Sequence, residues 1–278
     1  MTSALVSDIR EAGDLIRSRT RMRPEVGIVL GTGLGEFASA LATDAVVPFA
    51  DIPGFPVSTV EGHAGELHLG TLAGRPVAVM KGRVHYYEGY SMRQVGFPVR
   101  VLRELGCRTL ILTSAVGSMN PEFAPGDIVA ACDHLNLMGD SPLIGPNDET
   151  LGPRFPDMSE PYSRALLGLA EQVAAAQGWT LRRAVFAGLA GPALETAAEY
   201  RFLRQVGADV VGMSVVPETI VAVHGRQRVL AFNVVTDACL PDNLHPVDIP
   251  QILRIAAGAA PRLMAAITEV VRRLGEAD

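Results

Sequence analysis

"VLGTGLGEF", residues 29–37, is an apolar strand that runs into three glycines, and the class of fold turns on how it is read. A glycine-rich turn that leaves a strand and opens a helix belongs to α/β architecture. There its backbone N–H groups converge on a negative charge, assisted by the helix dipole. Spacing narrows the choice of anion. A dinucleotide-binding turn requires G-x-G-x-x-G, whereas the glycines here are Gly31, Gly33 and Gly35, with Glu36 where the third should stand. A nucleotide P-loop requires a lysine and a hydroxyl residue after its last glycine, and the chain's single lysine is the distant Lys81. Two readings stay open: a loop that holds a small anion such as free phosphate, with the Thr32 hydroxyl as an extra donor, or a tight structural turn.

Composition sets the outer bounds. The 278 residues, 48% hydrophobic and 19% charged, suffice for one large core, and no repeat, low-complexity tract or linker divides them. One domain over residues 1–278 is expected. A net charge of −6 with scattered basic residues gives no footprint of a nucleic-acid binder. Cys107, Cys132 and Cys239 are odd in number and lack metal-ligand spacing, so they read as reduced, packed thiols suited to the cytoplasm. Asp8, Glu11 and Asp14 exclude a signal-peptide core, and no run approaches the roughly eighteen apolar residues of a membrane span.

Outward from the opening strand, Val26–Leu30, the pattern alternates. Leu5, Ile9, Leu15 and Ile16 fall at helical spacing and predict an N-terminal helix over residues 1–20. Strand-like runs recur at Leu67–Leu72, Val77–Met80, Leu110–Thr113, Ile128–Cys132, Ala184–Leu189 and Val229–Val235, many of them continuously apolar as in strands buried on both faces. Ser91 with Gln94 and Thr196 with Glu199 form capping boxes, and Gly106 and Gly207 mark where those helices stop. Further helices are predicted from Pro217 to Gly225 and over 250–274, with a kink at Pro261. This alternation predicts an α/β domain with a largely parallel or mixed sheet covered by helices. The one long irregular segment, 139–161, is of the kind that often carries function.

Three more strand ends share the anion logic of the first. "KGRVHYYEGY" (81–90) sets Arg83 and His85 two apart on an extended segment, so both project to one side, a fit for an oxyanion; the alternative is an exposed turn. "LTSAVGSMNP" (112–121) runs into small residues that let a backbone N–H approach a ligand, and "VGMSVVPE" (211–218) puts Ser214 just ahead of a helix.

Together with "LGTGLG", "GHAGELHLG", "RFPDMSEPY" and "GPALETAAEYRFL", these segments resemble, in order and spacing over about residues 27–240, the trimeric purine nucleoside phosphorylases, whose branch includes the methylthioadenosine phosphorylases. The resemblance implies a single α/β domain with a mixed central sheet, partly barrel-like. It also implies phosphorolysis of purine nucleosides to free base and pentose 1-phosphate, with phosphate as co-substrate and no metal or organic cofactor. By match, Thr32, Arg83, His85, the N–H of Ala115 and Ser214 hold phosphate, with His63 a mobile histidine beside it. Tyr87 and Met213 line the sugar. Phe155 reaches into a neighbouring subunit's site, which is why the family works as a homotrimer. Val116, Leu194, Glu195, Val211, Thr236 and Asp237 surround the base. His85, Glu195 and Asp237 are the residues expected to carry the chemistry.

The chain departs from the pattern in three places. Asp237 stands where phosphorylases of 6-oxopurines usually have asparagine and the methylthioadenosine branch has aspartate. An ionised carboxylate only accepts, which suits the 6-amino group of adenine. Glu195 points the other way, accepting from the N1–H of hypoxanthine or guanine; an Asp237 protonated through burial would reconcile the two by donating to N7. The expected substrates are therefore inosine and guanosine with some adenosine tolerance, and the alternative is a 5′-methylthioadenosine phosphorylase. Leu194 replaces the usual stacking aromatic. His245 is the nearest candidate for a 5′-hydroxyl contact, though its offset from the following helix is several residues too long. His68, His134 and His224 are read as structural. A hydrolase, a nicotinamide-dependent oxidoreductase or a non-catalytic nucleoside-binding protein accounts for only one or two of the motifs.

Overall fold

The structure is a computed structural model that describes residues 3–31, 33, 34, 37, 40–59 and 64–277. Thr32 and His63 lie outside these residues. Among the described residues nine strands form one sheet: β1 (Val26–Leu30), β2 (Ala42–Pro48), β3 (Glu66–Leu72), β4 (Arg75–Lys81), β5 (Thr109–Ser118), β6 (Ile128–Asn136), β7 (Arg182–Gly188), β8 (Val210–Gly212) and β9 (Arg228–Ala238). Their order is β2-β3-β4-β1-β5-β8-β7-β6-β9, and β5 also pairs with β9, so the last five strands close on themselves. The expected mixed, partly barrel-like sheet is present. β1 runs parallel to β4 and β5, and β5 runs parallel to β9, whereas β3 meets β2 and β4 antiparallel.

Among the same described residues six α-helices accompany the sheet: α1 (Ala4–Arg19), α2 (Met92–Leu105), α3 (Arg164–Ala176), α4 (Ala197–Gln205), α5 (Val216–His224) and α6 (Ile249–Arg272). Their ends follow local chemistry. Ser91 Oγ accepts from the Gln94 N–H at 3.3 Å while Gln94 returns a carboxamide oxygen to the Ser91 N–H at 3.0 Å; Thr196 and Glu199 do the same for α4. Such a cap contributes about 1 kcal/mol. Gly106 closes α2 at φ 116°, a left-handed conformation. Pro261 lies inside α6, which is one continuous helix with Asp248 as its N-cap.

The predicted strands are all present, several of them longer than read. β2, β8 and α3 were not read from the sequence. β2 is an edge strand with mostly exposed residues, and β8 is only three residues long, so neither carries an apolar run. The core lies where helices cover the doubly buried strands: β1 is buried throughout, and Ile111, Leu230 and Phe232 are fully enclosed. Among the described residues no helix is long and apolar enough to cross a membrane.

Candidate active site

The ends of the parallel strands β1, β4, β5 and β9 open on one side, the position where α/β sheets hold ligands. Gly31, just past β1, comes so close to β5 that a Cβ there would stand 2.7 Å from the Thr113 carbonyl oxygen. Its N–H donates to Thr113 Oγ1 at 2.8 Å. The glycine therefore lets the first loop lie directly against the strand that carries Ala115 and Val116.

Arg83 and His85 follow β4 on an extended segment and are 2% and 8% exposed. Burying a guanidinium is costly unless it is paired. Arg83 Nε donates to Glu218 Oε1 at 3.0 Å, and its Nη1 donates to the Thr113 carbonyl and lies 3.5 Å from Ser214 Oγ. Nη2 is 2.9 Å from the same Glu218 oxygen yet makes no hydrogen bond of its own, a buried donor that a bound oxyanion would satisfy. His85 stacks on Tyr87 with ring centroids 4.8 Å apart and is held at Nδ1 by Glu88 at 2.9 Å. Burial, and then the charge of Arg83, pull the His85 pKa below its usual value, and Glu88 opposes the shift.

A single cleft joins this cationic end to an acidic one. Arg83, His85, Tyr87, Ala115, Met213 and Ser214 line the first end; Val116, Leu194, Glu195, Val211, Thr236 and Asp237 line the rest. Twelve of the expected site residues, separated by up to 154 positions in sequence, thus face one space. A β-bulge shapes the acidic end. Val116 pairs with Val235 but Gly117 pairs with Asp237, so Thr236 is the extra residue on β9 and shifts the side-chain alternation at Asp237.

The two carboxylates there differ. Burial pushes the Glu195 pKa up, opposed by a hydrogen bond from the Tyr200 hydroxyl. The Cys239 thiol donates to Asp237 Oδ2 at 3.0 Å, and the one Thr236 hydroxyl proton is shared between Asp237 Oδ1 at 3.0 Å and the Val116 carbonyl at 3.2 Å. That is the environment of an accepting carboxylate. Burial favours the protonated form of Glu195.

The other expected residues are placed elsewhere. His245 is exposed and lines an adjoining cleft that shares Leu194, Glu195 and Asp237, on the acidic side rather than beside Tyr87 and Met213. Phe155 is 86% exposed on the long loop and lines neither cleft. His68, His134 and His224 bond to Glu66, Tyr162 and Arg100 respectively, away from the cleft. Cys239 packs in a buried apolar cluster, as read, and its thiol in addition lines the cleft and donates to Asp237. Tyr200 and Glu218 were missed as site residues. Tyr200 stood inside a quoted motif, and Glu218 has the spacing of a helix-start acid, so a signal existed for each.

One end built for an oxyanion and another built of carboxylates, facing each other at the carboxyl ends of a mixed α/β sheet, make an enzyme site for transfer of a group to an anion. The chain belongs to the phosphorylase superfamily, whose family model matches residues 25–272. It is 44% identical over 268 residues to purine nucleoside phosphorylase 1 of Geobacillus stearothermophilus, covering 96% of this chain and 98% of that one. Among solved structures, a Schistosoma purine nucleoside phosphorylase in complex with hypoxanthine superposes with a TM-score of 0.92 at 36% identity, covering 99% of both chains. The Schistosoma mansoni enzyme in complex with adenosine also gives 0.92 at 36% identity, covering 98% of this chain and 99% of that one.

Proposed function

We propose that the protein catalyses reversible phosphorolysis of purine ribo- or deoxyribonucleosides to free base and pentose 1-phosphate, as a purine nucleoside phosphorylase. The observation that carries this reading is the shared cleft, with the Arg83 and Ser214 end facing Glu195 and Asp237. Phosphate is held by Thr32, Arg83, His85, the Ala115 N–H and Ser214, with His63 beside it. Tyr87, Met213, His245 and a neighbour's Phe155 contact the sugar, and Val116, Leu194, Glu195, Val211, Thr236 and Asp237 the base.

The chemistry follows from these two ends. A phosphate oxygen attacks C1′ as the C1′–N9 bond breaks, and the bonding pair leaves with the purine. Positive charge builds on the ribose and negative charge on the base, so the site must serve both. Phosphate bound below C1′ stabilises the first and is itself the nucleophile, its entropic cost already met by Arg83 and Ser214. Only hydrogen bonds donated to the purine strengthen as the base gains negative charge, so the accepting carboxylates of the acidic end hold and select the base edge. Glu195 accepts from N1–H of a 6-oxopurine, and Asp237 accepts from a 6-amino group. Inosine and guanosine are the expected substrates, with adenosine tolerated. The donors fixed on Asp237 also favour a second reading, 5′-methylthioadenosine phosphorolysis.

No organic cofactor or metal is called for; phosphate is the co-substrate. The exposed Phe155 and Ile144 on one loop support a homotrimer in which each loop completes a neighbouring site. A cytoplasmic role in purine salvage fits this activity. The test is incubation with inosine, guanosine, adenosine and methylthioadenosine, each with and without phosphate, followed by chromatography of free base. Phosphate-dependent release of hypoxanthine or guanine is expected. Release of adenine alone moves the protein to the second reading, and release without phosphate removes both.

A further inference from the structure

Val215 is the least comfortable residue near the site. Its φ and ψ are 67° and −51°, and the Val216 N–H donates to the Ser214 carbonyl at 2.7 Å, which makes Ser214–Val215–Val216 a γ-turn of the rare, strained hand. A β-branched residue in this region is a true outlier, and Val215 is fully buried. Strain of this kind persists only where surrounding groups over-determine the conformation.

The group that does so is Glu218. Its Oε2 accepts from the Val215 N–H at 2.6 Å, and its Oε1 accepts from Arg83 Nε at 3.0 Å. At 5% exposure it is as enclosed as the arginine it meets. A helix-start acid reaching back to its N-cap ordinarily sits at the surface and needs no cation. Here one carboxylate ties the turn that presents Ser214 Oγ to the guanidinium 3.5 Å from that hydroxyl. Removing either partner would leave a buried charge or a strained turn without its restraint.

We propose that Glu218 is a positioning residue for the oxyanion: it sets the Arg83 guanidinium and the Ser214 hydroxyl in one fixed relation through the γ-turn at Val215. It touches no reacting atom. The inference rests on the phosphate reading of this end of the cleft. Shortening or neutralising Glu218 lets the turn relax away from φ 67° and lets the guanidinium rotate, so phosphate affinity falls while the nucleoside end is untouched.

The experiment measures KM for inorganic phosphate and for nucleoside separately in wild type, Glu218→Gln, Glu218→Asp and the double variant Glu218→Gln/Val215→Gly. Wild-type activity that needs no phosphate overturns the phosphate reading itself, whatever the variants do. With phosphate-dependent wild type, Glu218→Gln is expected to raise the phosphate KM about tenfold or more and the nucleoside KM less than about twofold, since hydrogen bonds to charged groups are being lost. Glu218→Asp, too short to reach both partners, gives a smaller rise and serves where the glutamine variant does not fold. Glycine adopts the turn without strain, so the double variant recovers part of the phosphate affinity. An unmoved phosphate KM, equal increases in both KM values, or no recovery with glycine overturns the proposal.

Discussion

A single oxygen of Glu88 accepts two hydrogen bonds from His85, one from its main-chain N–H at 2.7 Å and one from ring Nδ1 at 2.9 Å. Because a carboxylate only accepts, Nδ1 carries the proton and Nε2 holds the lone pair of the neutral ring. Glu88 is itself fixed by the Thr59 N–H and hydroxyl, at 2.7 and 2.8 Å. Replacing Glu88 by glutamine weakens the orientation and removes the larger of the two carboxylate influences that raise His85 basicity, Glu218 being the other, so kcat/KM for phosphate should fall roughly ten- to a hundredfold. The direction of the pH effect is also fixed. Burial and Arg83 already lower the His85 pKa, and without Glu88 it falls further, moving the acid limb of the kcat/KM profile to lower pH. A pH profile of the variant with an unshifted limb would contradict this arrangement.

Base preference should turn on Asp237. With the Cys239 thiol donating to Oδ2, an ionised carboxylate here accepts from a 6-amino group and meets a 6-oxo group as one acceptor facing another. Asp237→Asn supplies a donor in the same volume. The ratio of adenosine to inosine kcat/KM should drop by roughly tenfold or more, the scale of one mismatched buried hydrogen bond. An unchanged ratio in a folded variant would remove Asp237 from the selectivity argument.

What the sequence made legible was local. Ser91 with Gln94 and Thr196 with Glu199 are three residues apart, and each cap formed as read. The continuous apolar runs gave strands because burial on both faces leaves a composition signal; the exposed edge strand β2 left none. The site divides the same way. Arg83 and His85 announced themselves by adjacency, but the partner of Arg83 is Glu218, 135 residues away, and no spacing rule spans that distance. Cys239 was legible only as a small hydrophobe: Asp237 is two residues away, but no residue pattern marks that thiol as a donor.

Phe155 should matter to substrate binding rather than to folding. Its ring is 86% exposed and lies under the Arg154 guanidinium, 5.8 Å from the ring centroid, so little core packing is lost on truncation. Phe155→Ala is expected to leave the melting temperature within a degree or two, as for surface changes of about 0.5 kcal/mol or less, while raising the nucleoside KM severalfold. Light scattering supplies the companion measurement. A fully active monomer would end the assignment of Phe155 to a neighbour's site.

The same loop is anchored by His224, which gives it a pH dependence. His224 accepts from Arg100 Nη1 at Nδ1, 3.3 Å away, and its Nε2 lies 3.2 Å from Asn147 Oδ1. A Cβ on Gly152 would stand 2.0 Å from the His224 carbonyl, so loop and helix end are in direct contact. Burial, followed by the charges of Arg100 and Arg103, pushes the His224 pKa down from 6.5 to about 4. The unfolded chain therefore takes up this proton first. The contribution to stability is full above about pH 6.5 and declines as pH falls towards 4, where protonation sets a second cation against Arg100. His85 and His134 shift in the same direction, so the contribution of His224 is read as a difference. Urea midpoints at fixed protein concentration should fall less between pH 7.5 and 5 in His224→Gln than in wild type, even if the variant is weaker at pH 7.5. Parallel pH dependences in the two proteins would show that the loop is held independently of this histidine.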